Sequence, residues 1–318
     1  MNSVQKFEEL KEKICGVVVV MTTPFKSDFE LNEEGLREHT RFLLDSGIQE
    51  GTGVLVPTGS TGECPMLSDE EKGKIFKIVV EETEGKAPVV VGCNHTDTRA
   101  VIKLAEYARE AGADGLMISP PYYWAPSEEI ILNHYKTICQ ETDLGIMVYN
   151  NWFATQVDIS IETMSKLTQL PNIVALKENT PYIEKFDKIT DILGDKITII
   201  NGVGARHEPY TSLMGAKGFV TGLANFIPKT MLEIYRAERE GEYVRAKDIH
   251  QKITPLLDFI LGGESSADYI ARIKAAMQLI GLPAGPPRPP LTSLDERGKE
   301  KLKKILTETE LIDKFELV

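Results

Sequence analysis

A lysine that closes one buried strand, a tyrosine that closes the next, and a Ser-Thr pair in a glycine-framed turn could together carry out carbonyl chemistry. The lysine is Lys177, in the stretch Asn172-Ile-Val-Ala-Leu-Lys-Glu178. The apolar run before it, with β-branched Ile173 and Val174, reads as a short strand buried on both faces. Alternation along that strand puts Ile173, Ala175 and Lys177 on one face and Val174 and Leu176 on the other. An ammonium is costly to bury, so packing alone gives no reason to place one there. In the plainer reading, the stem packs and the head reaches water. In the sharper one, an amine sits in a pocket, its pKa lowered by desolvation until it can attack a carbonyl. Ala175, small and on the same face, leaves room for a substrate beside Lys177. Tyr149 ends the neighbouring strand at the same height, which brings a phenol beside the amine. Gly59-Ser60-Thr61-Gly62 offers hydroxyls and backbone N–H groups suited to a carboxylate. Taken singly, Tyr149 reads as a core tyrosine and the Ser-Thr loop as a turn; it is their convergence that argues for a site.

The order of elements supplies that convergence. After a charged N-terminal helix, strands are expected at 15–21, 53–57, 88–92, 115–119, 144–149, 172–178, 197–201 and 218–221. Helices are expected at 31–44, 69–82, 98–111, 127–140, 161–168, 183–193, 208–214 and 229–240. A punctuation recurs before the strands: Ser46-Gly47, then Gly112 with Gly115, then Gly215 with Gly218. The first glycine ends a helix as a left-handed cap, and the second opens a strand. Strict strand–helix alternation implies parallel pairing and right-handed crossovers. Eight such units close into a (β/α)₈ barrel, which typically takes about 250 residues. An open doubly wound sheet would carry a G-x-G-x-x-G loop after its first strand. Neither Gly51-x-Gly53 nor Gly202-x-Gly204 completes that pattern. From Gly241 the rhythm changes to helices at 243–260, 266–280 and 293–307, with a proline-rich crossing at 281–290. The expected division is a catalytic barrel with a short N-terminal helix at 1–240 and a helical annex at 241–318.

A hydrophobic fraction of 42% and a charged fraction of 26% are those of a globular protein. The net charge of -12 argues against a nucleic-acid surface or an anionic membrane. Cys15, Cys64, Cys93 and Cys139 are too scattered for a disulfide framework or a zinc knuckle. The histidines show no ligand spacing, and the N-terminus lacks a signal-peptide core. A cytoplasmic location is the expectation.

In a (β/α)₈ barrel the active site gathers at the carboxyl ends of the strands. Those positions hold Thr23-Pro24, Gly59-Ser60-Thr61-Gly62-Glu63, Cys93-Asn94-His95, Pro121-Tyr122-Tyr123-Trp124, Tyr149-Asn150, Leu176-Lys177-Glu178 and Asn201-Gly202. Over nearly the whole chain, Thr23-Pro24, Gly59-Ser60-Thr61-Gly62-Glu63, Pro121-Tyr122-Tyr123, Tyr149-Asn150 and Leu176-Lys177-Glu178, with Arg288-Pro289-Pro290-Leu291, resemble the dihydrodipicolinate synthase / N-acetylneuraminate lyase superfamily of Schiff-base barrels. The resemblance implies that Lys177 attacks the C2 carbonyl of pyruvate or another 2-oxo acid. The protonated imine then lets a C3 proton leave, or the C3–C4 bond break, through an enamine. It further implies Tyr149 as general acid/base, with Ser60 and Tyr123 relaying its proton and Tyr123 lent across a dimer interface. Thr61 and its neighbouring amides would hold the carboxylate, and Gly59, Gly202 and Val220 would complete the substrate contacts. Glu63 and Glu178 are read as structural. The implied cofactor is none beyond the imine itself, with no metal, and the implied assembly is a homo-oligomer, a dimer or tetramer.

One departure bears on substrate. After Tyr149-Asn150 the family's synthase carries Val-Pro-Ser-Arg-Thr-Gly, whose arginine grips the second substrate's carboxylate. Here the residues are Asn151-Trp152-Phe153-Ala154-Thr155-Gln156, with Ala154 at the arginine position. A methyl group has no substitute for a bidentate guanidinium contact. Trp124, Trp152 and Phe153 suggest a less polar distal pocket instead. The reading is a Schiff-base lyase or aldolase with its acceptor open. Its alternatives are the lysine-biosynthetic synthase with Arg206 as substitute cation, a 2-keto-3-deoxy-sugar-acid aldolase or dehydratase, and a silent metabolite-binding barrel.

Overall fold

Short apolar runs opened by glycine or a β-branched residue form the strands: β1 Gly16–Val20, β2 Gly53–Val56, β3 Val90–Gly92, β4 Gly115–Ile118, β5 Gly145–Asn150, β6 Ile173–Glu178, β7 Thr198–Asn201 and β8 Gly218–Val220. In the computed structural model, which describes residues 3–265 and 267–311, they pair in the order β2-β1-β8-β7-β6-β5-β4-β3. All pairings are parallel. A bridge between Leu55 and Val89 brings β2 to the β3 edge and closes the barrel. Residues 1–2, 266 and 312–318, which fall in the expected N-terminal helix, at the start of the helix expected at 266–280 and at the end of the expected annex, lie outside the described residues.

Helices alternate with the strands: α1 Ser3–Lys13, α2 Glu33–Asp45, α3 Asp69–Thr83, α4 Thr98–Ala111, α5 Glu128–Glu141, α6 Trp152–Thr155, α7 Ile161–Leu167, α8 Ile183–Leu193, α9 Tyr210–Leu213 and α10 Pro228–Arg239. The annex adds α11 Tyr243–Leu261, α12 Asp268–Leu279 and α13 Glu296–Glu308. Their starts are written locally. Ser68 and Glu71 form a reciprocal capping box on α3, and Asp97, Ser127 and Ser160 cap α4, α5 and α7. Gly112 and Gly215 take φ of 83° and 104°, the left-handed values expected of them.

The interior is layered with Val18, Val54, Val90, Met117 and Met147, and Phe7, Leu10 and Ile14 belong to the same cluster. Helix α1 therefore plugs the amino-terminal mouth. A Cβ on Gly145 would lie 2.6 Å from Leu10 Cδ2, which explains why β5 opens on glycine.

Simple alternation fails in β6. Ile146 pairs with Ile173, but Met147 pairs with Ala175, so one extra residue is inserted at this point of the ladder. Val174 consequently turns into the barrel beside Ala175, while Ile173 packs outward with Leu176. The insertion lies below Ala175, so the pairing of Tyr149 with Lys177 is undisturbed.

The expected helix at 208–214 shortens to the single turn of α9. Residues Gly204–His207 form a 3₁₀ turn tied to Asn201, and Pro209 sits at the cap of α9, where its ring tolerates no earlier helical hydrogen bond.

The annex shares the outer core through Ile253, Leu256, Leu302 and Leu306. Its proline-rich crossing returns to the barrel. The Arg288 guanidinium donates to the carbonyls of Phe29 at 2.8 Å and Met66 at 2.9 Å and pairs with Glu71. The Arg288 amide donates to Glu63 Oε2 at 2.7 Å. Among the described residues, no helix is long and apolar enough to cross a membrane.

Candidate active site

The register that pairs Tyr149 with Lys177 brings both to the carboxyl end of the barrel. Lys177 is 3% exposed, and its Nζ lies over the Tyr149 ring, 3.7 Å from the centroid. Among the described residues, no carboxylate lies within ion-pairing distance of it. Burial without a compensating anion lowers its pKa to about 7. At neutral pH a large share of the side chain is therefore the free amine, the form that attacks carbonyls.

Tyr149 is buried as well, and burial pushes its pKa up, so the phenol is neutral and a proton donor. Its hydroxyl accepts from Asn151 Nδ2 at 2.8 Å and is hydrogen-bonded to Ser60.

Two non-glycine residues with left-handed backbone, Thr58 at φ 56° and Glu63 at φ 59°, bracket the Ser-Thr loop. Thr58 Oγ1 donates to the Gly92 carbonyl at 2.8 Å, and Thr23 Oγ1 donates to the Gly62 carbonyl at 2.7 Å. Glu63 is held by buried Lys274 at 2.5 Å. The amides of Gly62, Glu63 and Cys64 are spent closing the turn on Gly59 and Ser60 carbonyls. Those of Ser60 and Thr61 have no such partner among the described residues, and they can meet a carboxylate. The Thr61 hydroxyl is hydrogen-bonded to Tyr269, whose pKa burial raises to about 12.

These groups border a cavity of about 480 Å³. Of the residues expected at the site, Ser60, Thr61, Tyr149, Lys177, Gly202 and Val220 line it. Gly59 stands behind it, where a Cβ would lie 2.4 Å from Val20 Cγ1; its part is to let the turn pass that side chain. Tyr123 does not line the cavity. It is 73% exposed on the loop after β4, edge-on to Trp124. Trp152 and Phe153 line the wall, whereas Trp124 stands outside it. Ala154 is exposed and away from the cavity, and Arg206 points outward to Asp258 at 3.1 Å, so neither brings a cation to the pocket.

Glu178 faces away from the cavity. It accepts Asn150 Nδ2 on both oxygens and the Thr180 amide, and burial raises its pKa to about 7. It fixes the ends of β5 and β6 to each other, the structural part expected of it.

Strand-end reading missed Asn179, Tyr269 and the apolar group Leu257, Ile260, Leu261 and Ile273, all of which line the cavity. Asn179 lies two residues beyond Lys177, and its Oδ1 is buried without a hydrogen-bond partner. A Cβ on Gly202 would lie 2.0 Å from that oxygen, so glycine is what gives Asn179 its place. Tyr269 and Ile273, four apart on α12, and Leu257 and Ile260 on α11 are helical neighbours. That helical spacing is the signal in the sequence that could have found them. Among the described residues, no cluster of histidine, cysteine or acidic side chains could hold a metal ion.

Residues 13–309 match the model of the dihydrodipicolinate synthetase family. The 4-hydroxy-tetrahydrodipicolinate synthase of Archaeoglobus fulgidus is 34% identical over 93% of this chain and 99% of its own. The crystal structure of dihydrodipicolinate synthase from Thermotoga maritima superposes with a TM-score of 0.87 at 30% identity, covering 94% of this chain and 100% of that one. The same figures hold for the chloride-inhibited synthase of Acinetobacter baumannii complexed with pyruvate.

Proposed function

The chain belongs to the dihydrodipicolinate synthetase family, whose members are class I Schiff-base aldolases, and within it we propose that Lys177 is the amine that forms an imine with pyruvate or another 2-oxo acid. The observation that carries this reading is a buried lysine with no anion beside it among the described residues, its pKa lowered to about 7.

In this mechanism the neutral amine adds to the C2 carbonyl. Tyr149 gives its proton to the departing hydroxyl, so water leaves, and a tyrosinate remains beside the new iminium cation. The cation lowers the cost of that buried phenolate, and the phenolate takes the C3 proton to give the enamine. Tyr149 is then neutral again and able to protonate an acceptor oxygen. Ser60, hydrogen-bonded to Tyr149, passes protons onward, and Tyr123 extends that relay when a second copy of the chain presents it. The Thr61 hydroxyl and the free amides of its loop hold the substrate carboxylate, with Gly202 and Val220 as walls and Gly59 shaping the turn. The imine itself is the electron sink, and the scheme has no step for a metal. The enzyme would act in the cytoplasm, where its free cysteines stay reduced.

A second reading, 4-hydroxy-tetrahydrodipicolinate synthase, is favoured by the name that the Archaeoglobus relative carries. It requires a cation for a second carboxylate, a role Ala154 cannot fill. Both readings share the first half-reaction. Incubation with pyruvate and borohydride should add a reduced pyruvyl mass to the peptide bearing Lys177. An unmodified wild-type protein, or the same adduct on Lys177→Ala, would overturn the assignment.

A further inference from the structure

The cavity is lined by two unlike groups of side chains. Around Lys177 the wall is polar, with Tyr149, Ser60, Thr61 and Tyr269. Trp152, Phe153, Leu257, Ile260 and Leu261, from α6 and α11, make up an apolar group in the same wall. Lys177 is the only charged side chain among the described residues that line the cavity. Its charge is committed to the imine, and the free amides of the Ser-Thr loop provide for one carboxylate. Among the described residues no second charged side chain lines the cavity to meet another carboxylate, and an uncompensated buried carboxylate is strongly disfavoured. Trp152, Phe153 and Leu261 are also 42%, 54% and 47% exposed at the mouth, an apolar surface that a bound apolar group would cover. The volume of about 480 Å³ falls in the range of roughly 300–1,000 Å³ that encloses ligands much larger than a three-carbon acid. Asn179 lines the same cavity and offers it a carboxamide, which carries a donor as well as an acceptor.

We infer that the carbonyl partner is an uncharged aldehyde bearing an apolar group of aromatic size, with the Asn179 carboxamide, whose Nδ2 can donate to a carbonyl oxygen, as the polar contact that orients it. The inference rests on the imine chemistry proposed above. The enamine C3 attacks the aldehyde carbon and forms the new C–C bond. The carbonyl electron pair moves to its oxygen, which takes the proton of Tyr149. Water then hydrolyses the imine and gives a proton back to Tyr149, releasing a 4-hydroxy-2-oxo acid and free Lys177. The sum is one 2-oxo acid plus one aldehyde, with no oxidant or reductant, and the reverse direction cleaves the same bond.

The test uses two probes, benzaldehyde and aspartate semialdehyde, each with pyruvate and the full-length protein. Condensation with benzaldehyde should have a kcat/KM at least about tenfold higher, the factor that goes with roughly 1.4 kcal/mol. Leu261→Arg, at the exposed end of α11, should narrow that ratio by raising turnover of the semialdehyde and lowering that of benzaldehyde. Asn179→Ala should raise KM for benzaldehyde while leaving borohydride trapping of pyruvate intact. Equal or better use of the semialdehyde would overturn the inference. So would a protein that traps pyruvate yet consumes neither aldehyde, or a ratio unmoved in Leu261→Arg. Failure to trap pyruvate at all would instead strike the imine chemistry itself.

Discussion

Lys177 and Lys274 are buried to nearly the same depth, 3% and 1% exposed, yet their surroundings give them opposite uses. Lys274 on α12 pairs with Glu63 at 2.5 Å, donates to the Pro286 carbonyl at 3.0 Å and lies 4.4 Å from the centroid of the Phe25 ring. Burial lowers its pKa to about 8, with Glu63 holding it from falling further, so at neutral pH it remains mostly an ammonium, held in an ion pair. Arg288 covers the other contact of Phe25, 4.2 Å from its centroid, and binds Glu63 through its amide. Together Lys274, Glu63 and Arg288 tie the annex to the end of the Ser-Thr loop. Among the described residues, Lys177 has the Tyr149 ring and the cavity beside it and no ion-pair partner. Equal burial therefore makes a structural cation where an anion is supplied, and a nucleophile where it is withheld.

The comparison can be broken most forcefully by substitution. Lys274→Met strands Glu63 and should cost roughly 3–5 kcal/mol in chemical denaturation, whereas adding Glu63→Leu should recover most of that loss. Lys177→Met should do the opposite and stabilise the fold. The sign follows from the lowered pKa: the unfolded chain holds the proton more tightly. The penalty is thus complete below about 7 and fades as pH rises toward the ordinary lysine value of 10.5. The gain from Lys177→Met should shrink across that same window. Equal destabilisation by both lysine substitutions would erase the contrast.

Tyr149→Phe sharpens the functional side. Loss of a general acid–base should lower turnover by roughly 10²- to 10⁴-fold, with melting little changed, and a loss under about threefold would demote the phenol to packing. The smallest effect expected is at the strap: Arg288→Ala removes charge-assisted bonds to Glu71 and should cost about 1.5–3 kcal/mol. Because the strap supports the Ser-Thr loop, the same variant should raise KM for pyruvate more than it lowers kcat. An unchanged KM would separate the annex from the carboxylate site.

The barrel was legible because each strand is a short apolar run and the caps Gly47, Gly112 and Gly215 punctuate the helices where the chain needs positive φ. The extra residue in β6 was not, since Ile173 and Val174 are equally apolar and nothing local says which one faces inward. Lys177, Tyr149, Ser60 and Thr61 could be gathered in advance because strand ends converge by topology. Tyr269, Leu257 and Leu261 could not, because they reach the cavity from annex helices whose placement depends on tertiary packing. Asn179 lay just past the point where reading of the strand stopped. Ala154 told of a missing cation, but only the cavity wall shows that Arg206 does not replace it.

The most direct test of the central claim is the pH dependence of imine formation at Lys177. The rate of the reducible adduct with pyruvate should be followed by mass spectrometry through the neutral and alkaline range, with the peptide bearing Lys274 as internal control. Only the unprotonated amine attacks, so the rate at Lys177 should rise with a midpoint at about 7, and Lys274 should stay unmodified. A midpoint near the ordinary lysine value of 10.5, or labelling shared between the two lysines, would contradict the claim that burial without a partner is what activates Lys177.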